Sequence, residues 1–160
     1  MGQGKNEKTG MTRVTFRLPA VLETRALAID LVSALASNVP TADRDFRHEI
    51  VTAFGEAFNN IVIHGYRDRE PGMLEVEAEL CAGSLTLRLM DHGKAVDFGG
   101  LHPPDLDSMP ERGMGVFMIH ALVDEVVYQG GEPNVLSLTK RTASAITSEG
   151  QNRDELHPHG

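Results

Sequence analysis

Glu56-Ala57-Phe58-Asn59-Asn60-Ile61-Val62-Ile63-His64 sets an acid, an amide and an imidazole at successive four-residue steps along one segment. At 3.6 residues per turn, positions 56, 60 and 64 fall within roughly 80° of one another on a helix surface. Apolar side chains fill most of what remains (Ala57, Phe58, Ile61, Val62, Ile63), and a helix that is apolar nearly all round is a buried one. A polar stripe on a buried helix needs partners, because burying a polar group without a hydrogen bond is costly. Those partners are either other side chains, which makes the stripe a hydrogen-bonded seam, or a ligand with a metal, which makes it a site.

Working outward, Thr41 or Asp43 can cap this helix, its body spans residues 44–64, and Gly65 supplies a C-terminal stop. Upstream, residues 12–18 alternate apolar and polar and predict a strand. Pro19 ends that strand and can open a helix over residues 19–37, with Leu22, Leu27, Leu31, Val32 and Leu35 on its apolar side. Asn38-Val39-Pro40 breaks it. Downstream, residues 73–81 and 85–91 predict two strands joined tightly through Ala82-Gly83-Ser84. Residues 92–112 form a long loop rich in Gly and Pro, a length that suits a lid better than a plain connection. A helix over 114–122 then leads into strands at 125–129 and 135–140.

The order β-α-α-β-β-loop-α-β-β predicts an α+β fold: a two-layer α/β sandwich with helices on one face of a mixed, mainly antiparallel sheet. Residues 1–11 and 142–160 are Gly, Ser, Thr, Asn and charge without apolar period, and read as disordered tails around one domain over 12–141.

Length and composition agree with one domain: 160 residues, 41% hydrophobic, enough for a full core. A net charge of −8 argues against direct nucleic-acid binding, which needs a basic face. It leaves room for a small anionic ligand, since backbone amides and a bound cation can hold phosphates. The single Cys81 excludes an internal disulfide and a cysteine-built zinc site. No apolar run approaches a membrane span and the N-terminus lacks a signal peptide's apolar stretch, so a cytoplasmic, reducing setting is expected.

Chemistry gathers in three segments. In the first, Glu56 is a carboxylate able to take a proton from an attacking hydroxyl. The Asn60 oxygen is a hard neutral ligand suited to Mg²⁺. His64 reads either as part of the site or as a structural histidine at the helix end. In the second, Leu89-Met90-Asp91-His92-Gly93, an aspartate closes an apolar strand and can accept from an amino group such as adenine's; a plain strand-to-turn junction is the other reading. In the third, Glu111-Arg112-Gly113-Met114-Gly115-Val116, two glycines open an apolar helix, leaving backbone N–H groups free for phosphate oxygens. Arg112 adds a charge-assisted donor. The third glycine of a dinucleotide fingerprint is missing, and no Gly-Lys-Ser/Thr occurs.

In this order the three segments resemble the GHKL (Bergerat-fold, histidine-kinase-like) ATPases, and within them the anti-sigma factor serine kinases of the RsbW and SpoIIAB type. Glu56-x3-Asn60-x3-His64-Gly65-Tyr66 looks like that family's N box, Asp91-x-Gly93 like the start of its first glycine box, and Arg112-Gly113-Met114-Gly115 with Val123-Asp124-Glu125-Val126 like its second. The resemblance covers residues 12–141. It implies ATP and Mg²⁺ as cofactors, with Asn60 holding the metal, Asp91 the adenine amino group and Gly93 lining the base. Arg112, Gly113 and Gly115 would meet the phosphates, with His64 and Met114 in the same nucleotide site and residues 97–112 as the ATP lid. Glu56 would be the general base acting on a substrate serine.

The partners implied are a STAS-domain anti-anti-sigma factor as substrate, a sigma factor as the sequestered protein, and a second copy of the chain in a homodimer. Arg25 sits where the family carries an arginine at its partner surface; a solvated helix arginine is the other reading. Two departures stand out. The second glycine of the first box is replaced in Asp91-His92-Gly93-Lys94-Ala95, and the usual Gly-Thr before the last strand is replaced by Pro133-Asn134. Asn134 either supplies a hydrogen bond of its own or loses that contact. The alternative function is a nucleotide-binding regulatory module that holds a partner without transferring phosphate.

Overall fold

The strand alternation is realised in the computed structural model, which describes residues 10–99 and 111–154. β1 (Thr12–Pro19), β2 (Met73–Cys81), β3 (Ser84–Asp91), β4 (Glu125–Gln129) and β5 (Asn134–Arg141) form one sheet in the order β1-β2-β3-β5-β4. Every neighbouring pair is antiparallel, so none of the parallel pairing allowed for in a mixed sheet occurs among the described strands. Leu74, Val76, Ala78, Leu85, Leu87, Leu89, Leu136 and Leu138 are buried on one face.

The opposite face is polar. Arg13 stands across from Glu79, Arg17 from Glu75 and Arg88 from Glu77, with N–O distances of 3.0, 3.2 and 2.7 Å. Exposed pairs of this kind stabilise little, being screened by solvent. Their larger effect is on register, because a one-residue slip would turn these charges into the core. The Arg13 hydrogen bond holds the Glu79 carboxyl below its ordinary value.

Three helices cover the apolar face: α1 (Arg25–Ser37), α2 (Arg44–Asn60) and α3 (Glu111–Leu122). Asp43 caps α2, its Oδ1 accepting the Phe46 N–H at 2.8 Å, which satisfies one of the free amides at a helix start. Phe46, Ile50, Ala53, Phe54, Ala57, Phe58 and Ile61 recur every three or four residues and are buried, the stripe that seats α2 on the sheet. On α1 the buried positions are Ala28, Val32 and Ala36, a small-residue stripe at four-residue steps that packs on α2.

Leu22 and Leu27, expected on the apolar side of the first helix, are exposed, and the helices depart from the sequence expectation in four places. Pro19 opens no helix; it remains extended opposite Met73, and the Thr24 hydroxyl bonds back to its carbonyl at 2.7 Å. A 3-10 turn at Leu22–Thr24 then delays α1 to Arg25. The α-helical ladder of α2 stops at Asn60, and Ile61–Gly65 is a wider π turn where a continuing α-helix was expected. α3 starts at Glu111 instead of the expected 114, so Gly113 lies within its first turn rather than ahead of it.

The fourth departure lies beyond residue 142, where a disordered tail was expected and α4 (Ala143–Asp154) forms instead. Its anchor is not an apolar stripe, which is why periodicity missed it. Thr142 is buried, donates its N–H to the Gly83 carbonyl at 2.8 Å and shares hydroxyl contacts with Thr41 and Ser144. Ala145 packs over Gly83, whose φ of +85° and crowded Cβ position (2.9 Å from the Ala145 Cβ) require glycine there. Residues 1–9 and 155–160 of the expected tails lie outside the described residues.

Candidate functional site

α3 packs across the polar edge of α2, and the contact is made by the sequence's stripe. A Cβ on Gly115 would stand 2.9 Å from Glu56 Oε2 and 3.5 Å from Asn60 Nδ2, so both side chains lie against the bare backbone of α3. Glu56, Asn60 and Gly115, drawn from two of the three segments, are thereby in one place. Asn60 Nδ2 is buried and has no hydrogen-bond partner among the described residues. An orphaned buried amide is rare in folded proteins and marks a place where a partner is expected.

Asn60 and His64 line a cavity of about 240 Å³ together with Ala95, Val96, Asp97 and Val116. The cavity runs from the α2 end to the loop that follows β3, and Gly65 joins the two. Its carbonyl accepts the Lys94 N–H at 2.7 Å, and its own Cβ position would be 3.8 Å from Val96 Cγ2 and 3.9 Å from Asp91 Oδ1. Gly93 faces Gly65 so closely that an added Cβ would meet the Gly65 carbonyl oxygen at 2.7 Å. The first and second segments therefore touch through glycine backbones.

Asp91 is buried at the end of β3. Its Oδ1 accepts the Gly93 N–H at 2.8 Å and Asn134 Nδ2 at 3.2 Å. Asn134 is the residue directly across the β3–β5 ladder and is itself buried. Its Nδ2 also donates to the Gly93 carbonyl at 3.0 Å, and its Oδ1 accepts the Gly131 N–H at 3.0 Å. The departure noted at Asn134 thus brings a carboxamide that has partners on both of its ends.

Two tyrosines and a histidine to which sequence reading gave no individual role hold the loop. The Tyr66 hydroxyl accepts the His92 N–H at 3.1 Å, and burial pushes its phenol above the ordinary value. The Tyr128 hydroxyl accepts the Val96 N–H at 3.0 Å, and its ring lies 5.1 Å from that of the buried Phe98. His120 Nε2 is 2.7 Å from the Phe98 carbonyl; a carbonyl only accepts, so this nitrogen carries the hydrogen. Tyr66 carried a signal in its place after His64-Gly65. Tyr128 and His120 carried none, since each acts through a contact distant in sequence.

The remaining expected residues divide. Met114 is exposed and Gly113 has open space around it at the start of α3. The Arg112 side chain and residues 100–110 of the expected lid lie outside the described residues. Arg25 stands apart from the cavity lining: its Nε donates to Asn59 Oδ1 at 2.8 Å and its Nη2 lies 3.0 Å from where a Gly55 Cβ would be. It is therefore engaged with α2 rather than a freely solvated arginine.

The donor set suits a cation held largely by its ligand. Among the described residues no cluster of three or more His, Cys, Asp or Glu could hold a metal alone. The Asn60 amide oxygen, with the Glu56 carboxylate beside it, fits Mg²⁺, which keeps waters and phosphate oxygens instead of entering an all-protein cage; the unpartnered Nδ2 is a donor and calls for an acceptor.

Residues 18–140 match the histidine kinase-like ATPase domain family. An anti-sigma F factor of Clostridium botulinum (strain Eklund 17B / Type B) is 30% identical over 105 residues, covering 63% of this chain and 72% of the relative. A serine-protein kinase RsbW of Bacillus cereus (strain AH820) is 26% identical over 136 residues, 80% of this chain and 84% of that one. Among solved structures, the RsbU and RsbW domains of Rv1364c from Mycobacterium tuberculosis superpose with a TM-score of 0.59 at 20% identity. That likeness extends over 81% of this chain and 32% of the longer one, and concerns the fold. No helix among the described residues is long and apolar enough to cross a membrane.

Proposed function

The chain belongs to the histidine kinase-like ATPase family, in the company of anti-sigma factors and RsbW-type serine kinases, and from that premise we propose that it is an ATP-dependent protein serine kinase that also acts as an anti-sigma factor. Its substrate in this reading is a STAS-domain anti-anti-sigma protein, and the competing partner is a sigma factor held when the substrate is absent or already phosphorylated. It works as a homodimer in the cytoplasm. The observation that carries the reading is the meeting of Glu56 and Asn60 over the bare backbone at Gly115, with an unpartnered amide facing a cavity.

In this assignment Asp91 accepts from the adenine amino group and Gly93 lets the base approach the backbone. The free N–H groups of the first turn of α3, that of Gly113 among them, would face phosphate oxygens, with Arg112 as a charged donor and Gly115 leaving bare backbone beside Glu56 and Asn60. Asn60 would hold Mg²⁺, which would supply charge neutralisation at the phosphates. Glu56 accepts the proton of the substrate serine hydroxyl as that oxygen forms its bond to the γ-phosphorus. The bond from the γ-phosphorus to the bridging oxygen breaks, and ADP carries away the electron pair. Arg25, beside Asn59 on α2, contributes to the partner surface.

The test is transfer from γ-labelled ATP to STAS-domain proteins of the same genome. Wild type labels a serine. Glu56→Ala binds Mg-ATP with little change and loses transfer by about 10²–10⁴-fold, the range for a removed general base. Transfer by that variant at the wild-type rate would overturn the role given to Glu56. A wild type that binds Mg-ATP and labels no candidate would instead favour the regulatory module that holds its partner without transfer.

A further inference from the structure

A carboxylate that reads a purine amino group must present one oxygen to it and keep the other occupied. Asp91 Oδ1 already accepts two hydrogen bonds, from the Gly93 N–H at 2.8 Å and from Asn134 Nδ2 at 3.2 Å. An oxygen with two lone pairs is then filled, and the capacity left on the carboxylate is that of Oδ2. The Asn134 amide has little freedom to turn over. Its Nδ2 also faces the Gly93 carbonyl and its Oδ1 faces the Gly131 N–H, each at 3.0 Å. A flipped amide would set donor against donor at Gly131, and acceptor against acceptors at both Gly93 and Asp91. Both side chains are buried, and they stand opposite each other on the paired strands β3 and β5.

We infer that Asn134 is a positioning residue for base selection: by filling Asp91 Oδ1 it fixes the carboxylate's rotation and commits Oδ2 as the acceptor for a 6-amino purine. The inference rests on Asp91 being the base-reading group, and it adds a second residue, from a different strand, that sets how sharply that group discriminates. A 6-oxo purine would bring a carbonyl oxygen against Oδ2, leaving a buried acceptor pair with no hydrogen between them, the situation in which a hydrogen-bonding site rejects an analogue strongly. Once Asn134 no longer holds Oδ1, only the Gly93 N–H restrains that oxygen, and the carboxylate can pivot about this single contact away from the base. The amino purine then loses its partner, and the oxo purine loses its repulsion.

The experiment measures binding of Mg-ATP and Mg-ITP, which differ at the 6-position of the base, to wild type, Asn134→Ala and Asn134→Thr by calorimetry. Nucleotide-free thermal unfolding of each protein serves as the fold control. Wild type prefers ATP. Asn134→Ala loses about tenfold in ATP affinity, the scale of one hydrogen bond to a charged group, while ITP affinity stays within about twofold, so the preference narrows by a similar factor. Asn134→Thr keeps one donor on the same strand face, and its ATP-to-ITP ratio falls between the two; it also covers the case in which the alanine variant does not fold. Equal losses for both nucleotides would make Asn134 a merely structural residue and overturn the inference, as would an unchanged ratio in either variant. A wild type that binds neither nucleotide would remove the ATP reading itself, and the inference with it; a wild type that prefers ATP beside a variant of unchanged ratio removes only the role of Asn134.

Discussion

Glu56 and Gly115 compete for one space: a Cβ on Gly115 would lie 2.9 Å from Glu56 Oε2. The crowding atom is the far end of a flexible side chain, so an added methyl moves Glu56 rather than the helices. Gly115→Ala should therefore separate stability from activity. Replacing a helical glycine by alanine favours the fold by roughly 0.5–1 kcal/mol, so the nucleotide-free protein should unfold at the same or a higher urea concentration. Phosphoryl transfer should fall at least tenfold, because the displaced carboxylate no longer points where a hydroxyl would arrive. Loss of stability without loss of transfer would show that this contact has no part in the chemistry.

Mg-ATP should stabilise the protein against heat by about 2.7 kcal/mol at a hundredfold excess over the dissociation constant. Asn60→Ala and Asp91→Asn should each abolish most of that increment, one at the phosphate end and one at the base. Thermal unfolding with and without Mg-ATP reads both, and a full increment in the two variants would remove the nucleotide site from this cavity.

Gly93→Ala and Gly113→Ala should differ in sign. A Cβ at Gly93 meets a backbone oxygen, that of Gly65, at 2.7 Å, whereas nothing lies within 4 Å of one at Gly113. The first substitution forces backbone apart and should cost about 1–3 kcal/mol, the usual range for overpacking. The second should be neutral or stabilising by up to about 1 kcal/mol. Urea unfolding of the two variants without nucleotide checks the contrast.

Glu79 gives the outer sheet face a pH dependence. Its folded carboxyl titrates below the ordinary value of 4.5 because Arg13 donates to it. A depressed carboxyl adds stability that is complete above the unfolded value and disappears as pH falls through the folded one. Glu79→Gln should thus be less stable than wild type at pH 7, and the gap should close below about pH 4.5 as wild type loses its advantage. A gap that persists unchanged at pH 3 would assign the loss to packing instead of charge.

Most of the strand layer was legible because strand residues alternate, and Glu77 facing Arg88 or Leu87 facing Leu138 restates that alternation across the ladder. The stripe of Glu56 and Asn60 was legible for the related reason that a helix repeats locally. What stayed hidden depends on separations the local pattern does not encode. Asn134 meets Asp91 only because β5 lies beside β3 and not beside β2. His120 reaches the Phe98 carbonyl across the start of the loop. α4 is held by Thr142 and Gly83, residues whose composition resembles that of any linker. Pro19 read as a helix opener because its ring suits a first turn, yet its pairing with Met73 kept it extended.

The widened turn at Ile61–Gly65 acts as a phase adjuster between the helix and the β3 loop. Each residue of an α-helix advances the chain by about 100°, so small changes of length there become large changes of heading. Deleting Ile61, Val62 or Ile63 would leave the segment apolar. It would also swing the Gly65 carbonyl off the Lys94 amide that it meets at 2.7 Å. Spacing between Asn60 and Gly65, more than the identity of the side chains that fill it, is therefore what aligns the α2 end of the cavity with the loop that follows β3.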